Sequence, residues 1–153
     1  MAKAAEEHLS RRELAAWSGL LRAHARVLAE LDAELQAEHG LAVPEYEVLL
    51  VLTRNGPNHL RMSELADAAL LTRSGMTRLV DRLERQGLVR RERCEDDGRG
   101  TYAVITPDGA ERFAAARPTH IAGVRRLFLD RLKKKDQRAL GDAFDAVLGG
   151  DPA

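Results

Sequence analysis

One stretch constrains the fold more than any other: MSELADAALLTRSGMTRLVDRLERQGLVRRERCEDDGRGTYAVITPDG, residues 62–109. Turn and capping residues divide it at short intervals. Ser63 predicts the cap of a short helix from Glu64 to Leu70. Thr72 predicts the cap of a second helix, which runs to Arg85 or Gln86 and stops at Gly87. Leu88-Val89 and Tyr102-Ala103-Val104-Ile105 read as two strands, joined by Glu95-Asp96-Asp97-Gly98-Arg99-Gly100, a hairpin with a polar tip. The order stands a short, arginine-bearing helix against a hairpin.

Longer helical patterns flank this unit. Ser10 and Glu13 form an S-x-x-E capping box, after which Leu14, Trp17, Leu21, His24, Leu28, Leu31 and Leu35 recur at steps of three and four. The stripe reaches about Glu38 and stops before Gly40, giving a helix of roughly 28 residues and ~40 Å. One small domain does not cover a helix that long. Leu20 and Val27 widen its apolar face, so part of it is expected to meet a second chain. Pro44 opens a second helix carrying Tyr46, Leu49, Leu50 and Leu52, which Asn55-Gly56-Pro57 ends. Thr106-Pro107 caps and starts another, and Pro118 predicts a kink or break near Arg117. Ile121, Val124, Phe128 and Leu132 continue the stripe beyond it. After the polar joint Lys133-Lys134-Lys135-Asp136, Leu140, Phe144, Val147 and Leu148 mark a last amphipathic helix.

At 153 residues the chain holds one domain's worth of material, and its 44% hydrophobic but only 4% aromatic content suits a helical core of leucine and alanine. No apolar run approaches the ~20 residues of a membrane span. The start, MAKAAEEHLSRRE, has no apolar stretch after its charges. A cytoplasmic protein with no membrane partner is expected. The lone Cys94 excludes an internal disulfide. Net charge is zero, but its distribution is uneven: residues 72–93 hold seven arginines against three acids, a net of +4, while residues 1–43 hold five bases against seven acids, a net of −2. A basic middle between neutral or acidic ends fits phosphate contact confined to one face, and it equally fits an ordinary solvated helix.

Within the 72–85 helix, Met76, Leu79, Val80 and Leu83 share one buried face, and Ser74, Arg78, Asp81, Arg82 and Arg85 occupy the opposite one. Gly75 and Thr77 lie at its edges. Small residues near the helix start let the backbone sit deep in a DNA major groove, where Arg78 can contact a guanine edge in bidentate fashion. Ser74, Thr77 and the helix N-terminus suit phosphate. A plain surface helix with an Asp81–Arg85 pair is the competing reading. Near the hairpin tip Arg99 can reach a minor groove, held in pose by Asp97; the two can also simply pin the turn.

The run SELADAALLTRSGMTRLVDRLERQGLVRRE, the D-x-R of Asp97-Gly98-Arg99 and the strand-turn VITPDG together resemble the winged helix-turn-helix of the MarR family of bacterial transcription regulators. The long first helix and the C-terminal helices extend the resemblance over nearly the whole chain. The fold it implies is mostly α with a small β-hairpin wing: a winged helix-turn-helix lobe at 44–106, flanked by helical dimerisation regions at 1–43 and 107–153. It further implies a homodimer, double-stranded DNA in the form of a palindromic operator, and repression released by a small ligand. Carried over by position, DNA contacts fall on Thr72, Arg73, Ser74, Gly75, Thr77, Arg78 and Arg82, with Arg99 oriented by Asp97 in the wing. Many relatives place a second basic residue where this chain has Gly98, which leaves fewer charges for the minor groove.

The family's effector pocket lies between the first, second and fifth helices, so the resemblance makes Trp17, His24, Tyr46 and His120 candidates for holding an aromatic acid or phenol. A helical-stripe tryptophan is otherwise a core or interface residue, and His24 an ordinary interface histidine. None of the five histidines is paired at metal-ligand spacing. Cys94, between Arg93 and Glu95, reads as an inert thiol. No catalytic motif, metal site or cofactor site is expected. The leading expectation is a dimeric repressor; the alternative is a winged-helix protein-interaction module that no longer reads DNA, favoured by the zero net charge and Gly98.

Overall fold

The computed structural model describes residues 8–54, 59–69, 73–95 and 100–149. Its first element, α1 (Arg11–His39), starts at the expected capping box: Ser10 N–H donates to Glu13 Oε2 at 2.8 Å and Glu13 N–H to Ser10 Oγ at 3.3 Å. Gly40, at φ 64°, ends the helix in the left-handed region that glycine enters at little cost. Next comes α2 (Val43–Arg54), whose first amides find partners at once: Val43 N–H donates to Asp32 Oδ1 at 2.8 Å. Strand β1 (His59–Arg61) leads directly into α3 (Met62–Ala68), and α4 (Arg73–Arg85) follows. Gly87 (φ 73°) then turns the chain into β2 (Val89–Arg93), which pairs with β3 (Thr101–Ile105). After α5 (Pro107–Leu127) and a 3-10 turn at Leu129–Arg131, α6 (Lys134–Leu148) closes the order.

Several expectations shift. Among the described residues the sheet has three antiparallel strands in the order β1-β3-β2, not a bare hairpin, because His59–Arg61 pairs with Tyr102–Val104. That strand is three residues long and flanks a helix start, too short to show an alternating pattern. Ser63 is not the cap of α3: the helix begins two residues earlier than expected, at Met62, and Arg61 N–H donates to Glu64 Oε2 at 3.0 Å in its place. Pro118 does not interrupt α5, which runs unbroken from Pro107 to Leu127. The amide that proline lacks is one hydrogen bond in a helix of 21 residues whose Phe113, Ala116, Gly123 and Leu127 are buried on either side. The stripe through Phe128 and Leu132 instead leaves the helix after Leu127. The Thr72 cap, the Asn55-Gly56-Pro57 stop and the hairpin tip lie outside the described residues.

One core joins these elements. Leu35, Leu41, Val48, Leu49, Leu52, Leu65, Met76, Val80, Leu83 and Ala103 are fully buried in it. It is centred on α2, and α4 docks through the Met76, Leu79, Val80, Leu83 face read from the sequence. Leu31 and Leu35, in the C-terminal part of α1, reach the same core. The preceding half does not: Leu14, Trp17, Leu20 and Leu21 are exposed, as are Phe144, Val147 and Leu148 on α6. Among the described residues α6 buries nothing.

Candidate nucleic-acid interface

The exposed side of α4 is built by the same periodicity that buries its other side. Ser74, Thr77, Arg78, Asp81, Arg82 and Arg85 are all exposed and Gly75 half-buried. Arg78, Arg82 and Arg85 border one open groove with Pro44 and Gly75. Arg73 opens the helix. Thr72, Asp97 and Arg99 lie outside the described residues.

Among the described residues the acids on α4 do not pair as i, i+4 neighbours. Arg91, on β2, reaches across instead: its Nη2 is 2.7 Å from Asp81 Oδ1, its Nη1 2.6 Å from Glu84 Oε2, and Nη2 also donates to the Thr77 carbonyl at 3.2 Å. Thr77, Asp81 and Glu84 stand at i, i+4 and i+7, one flank of the helix, so a single guanidinium clips that flank to the base of the wing. Arg90 pairs with Glu92. Arg82 turns toward α2, where its Nε lies 3.5 Å from Glu45 Oε1. Glu45 is buried at 5% exposure, and its other oxygen accepts Ala42 N–H at 2.9 Å. Arg78 and Arg85 have no ion-pair partner among the described residues.

Sequence reasoning missed Glu45 and Arg91, although both left a signal. Glu45 follows Ala42 by three residues, the spacing at which an acid reaches back to a helix-start amide. Arg91 is two residues beyond the buried Val89, hence on the same face of the strand. Cys94 is buried, and Cys94 N–H donates to the Gly100 carbonyl at 2.9 Å, closing the base of the wing.

Of the candidate pocket residues, Tyr46 and His120 come together, with ring centroids 4.3 Å apart, and Phe113 stands 5.2 Å from Tyr46. Burial pushes the Tyr46 phenol up, with Glu47 adding to the effect while Arg117 and Arg54 oppose it. Burial likewise lowers the His120 pKa, against a smaller upward pull from Glu47, and its Nδ1 has no hydrogen-bond partner among the described residues. Trp17 and His24 are not part of this cluster; both are exposed along α1. Nearby, Thr119 Oγ1 donates to Glu38 Oε2 at 3.0 Å and lies 2.8 Å from His39 Nε2. Arg112 Nη1 donates to the His39 carbonyl at 2.9 Å. Together these tie the end of α1 to α5. Among the described residues no His, Cys, Asp and Glu cluster could hold a metal ion, and no helix is long and apolar enough to cross a membrane.

A helix with an exposed basic face, backed by a second short helix and clipped to an antiparallel hairpin, defines a winged helix-turn-helix protein. The MarR family model matches residues 39–100, the segment from the end of α1 to the residue before β3. The structure of AbsC, a MarR family transcriptional regulator from Streptomyces coelicolor, is 35% identical with a TM-score of 0.88 and covers 94% of this chain and 96% of its own. That of Sco3205 from the same organism, a MarR family regulator in complex with DNA, is 34% identical with a TM-score of 0.90 over 99% and 95%. The repressor YetL of Bacillus subtilis is 30% identical over 114 residues, 72% of this chain and 68% of its own length. Alignments to the first three curated relatives span 44% to 68% of those proteins. The chain belongs to the MarR family of transcriptional regulators.

Proposed function

We propose that this regulator is a homodimeric, sequence-specific DNA-binding repressor. The observation that carries the reading is the exposed α4 face, with Arg78 in its middle lacking an ion-pair partner among the described residues and its flank held against the wing by Arg91. Arg78 reads base edges in the major groove. Ser74, Thr77, Gly75, Thr72 and Arg73 approach the phosphates, and Arg99, oriented by Asp97, enters the minor groove. Residues 44–106 form the reading lobe.

Regions 1–43 and 107–153 supply the dimer. Their support is the apolar surface left uncovered in one copy: Trp17 is 54% and Val147 80% exposed, and exposed apolar residues clustered along two helices mark an interaction surface. A second copy covers these faces and sets two α4 helices about one turn of B-form DNA apart (~34 Å), on the half-sites of a palindrome. The repressor assignment rests on the likeness to YetL. For release, an aromatic acid or phenol bound beside Tyr46 and His120, between α2 and α5, alters that spacing; Trp17 and His24 join such a site from the dimer face. The ligand acts only through differential affinity for the two spacings.

Fluorescence anisotropy on a palindromic fragment from the DNA flanking the gene tests the reading. Binding falls steeply with salt, and Arg78→Ala loses about 1–3 kcal/mol of discrimination against altered half-sites. Equal affinity for scrambled DNA, or an Arg78→Ala protein that discriminates like the parent, overturns it.

A further inference from the structure

Arg82 has the position of a phosphate contact and the partner of an internal cation. We infer that Glu45 withholds Arg82 from the DNA backbone, lowering non-specific affinity and leaving discrimination to Arg78; the inference rests on the DNA-binding reading above. The Glu45 side chain is 6% exposed and the Arg82 side chain 52%, so the carboxylate is the member that cannot be left alone. A buried carboxylate stripped of its cation loses more than a solvent-facing arginine gains from one phosphate. Arg82 therefore stays with Glu45 when DNA arrives. The neutral pair releases no counterion and adds nothing to the salt dependence. Glu45 is also anchored from behind, because its Oε2 accepts Ala42 N–H at the start of α2. The same carboxylate thus fixes α4 against α2 and cancels a charge on the reading face.

The distinguishing variant is Glu45→Gln. Its amide oxygen keeps the bond from Ala42 N–H, while the NH₂ turned toward Arg82 cannot accept from it, so the guanidinium is released. The assay is anisotropy on a short fluorescein-labelled duplex of mixed sequence, titrated between about 50 and 200 mM salt. Glu45→Gln is expected to bind this duplex more tightly than the parent, with the slope of log K against log salt steeper by about 0.9. The ratio of palindromic to mixed-sequence affinity falls. The double variant Glu45→Gln/Arg82→Gln, a neutral amide pair, returns to the parental slope; it also decides the matter if Glu45→Gln alone does not fold. An unchanged slope in Glu45→Gln shows that Glu45 withholds nothing and overturns the inference; a double variant shallower than the parent by about 0.9 shows that Arg82 already touches phosphate and overturns it too. A parent with no salt-dependent affinity for any duplex is a different failure, that of the DNA-binding reading itself.

Discussion

Gly109 sits where α5 leaves the sheet, and replacing it with alanine is the sharpest test of how that joint is packed. A Cβ at this position would stand 2.0 Å from the Leu88 carbonyl oxygen, 2.9 Å from its carbon and 3.0 Å from Ile105 Cγ1. An ordinary carbon–oxygen contact is about 3.3 Å or longer, so the two backbones must part by roughly 1.3 Å, and neither is a flexible side chain. The same Leu88 oxygen accepts Thr106 N–H at 3.1 Å, and Thr106 Oγ1 both donates to the Gly87 carbonyl at 2.6 Å and accepts Gly109 N–H at 3.0 Å. Opening the joint strains that set. Overpacking at ~1–3 kcal/mol and a lost bond or two at ~1 kcal/mol each, less the ~1 kcal/mol by which alanine favours a helix, leave a net cost of about 3 kcal/mol. For a chain of this size that lowers Tm by roughly 6–12 °C. Gly123→Ala is the comparison. Its Cβ would meet Leu31 Cδ2 at 2.6 Å and Glu34 Oε2 at 3.1 Å, both side-chain ends that can rotate away, so the cost is about 1 kcal/mol. Thermal melts by circular dichroism at one fixed protein concentration compare the two. A Gly109→Ala protein melting within about 2 °C of the parent, or below it by less than Gly123→Ala, refutes the argument.

Arg91→Gln removes two half-exposed ion pairs and the bond to the Thr77 carbonyl, costing about 1–2 kcal/mol in urea denaturation. It also leaves Asp81 and Glu84 unneutralised on the reading helix, so DNA affinity drops at every salt concentration in the same anisotropy titration; a parental affinity counts against the clip. Phe144→Asp with Val147→Asp places charge on the uncovered face of α6 and is expected to yield a monomer in sedimentation equilibrium, with loss of palindrome binding; a stable dimer moves the interface elsewhere. Because burial lowers the His120 pKa below the usual 6.5, the unfolded chain binds more protons than the folded one between those two values. Stability is therefore full above pH 6.5 and falls as pH drops through 6.5 toward the lowered folded-state value. Replacing His120 with phenylalanine should shrink the difference between melts at about pH 7.5 and 5.5; an undiminished difference assigns it to another group.

Periodicity makes most of this architecture legible in the sequence. The capping box at Ser10, the split of α4 into an apolar and an arginine face, the Thr106-Pro107 start of α5 and the glycine stops at Gly40 and Gly87 are short-range features. Each depends on residues within a turn or two, and each stands where the sequence put it. What failed to show was decided at long range. His59–Arg61 becomes a strand only because Tyr102–Val104 is there to pair with it. Pro118 is tolerated without a break because α5 packs into the core on both sides of it, a contribution no local rule weighs against the missing amide. At the interface, charge counting over residues 72–93 gave a net of +4 without saying which arginines are spent. The acid that takes Arg82 lies outside that window, on α2, and the arginine that takes Asp81 and Glu84 comes from the following strand.

Those pairings bear on how a regulator of this shape can respond to a signal. The α4 helix is fixed on three sides: by its apolar face in the core, by Glu45 from α2 and by Arg91 from β2. A helix held this way cannot be re-aimed within its lobe without stripping the buried Glu45 carboxylate of its cation or emptying part of the core. In the dimer proposed above, a change in the spacing of two such helices must then arise where the lobe joins α1 and α5. That junction is differently made: the Tyr46, His120 and Phe113 rings between α2 and α5 carry an unsatisfied Nδ1, and a polar Thr119–Glu38–His39 contact ties α5 to α1. Polar, incompletely satisfied contacts need less free energy to rearrange than a close-packed core. Hydrogen exchange would show the ordering directly, with α4 amides opening only on global unfolding and those at the end of α1 and the middle of α5 opening earlier; uniform protection across both regions would remove the reason for placing the moving part there.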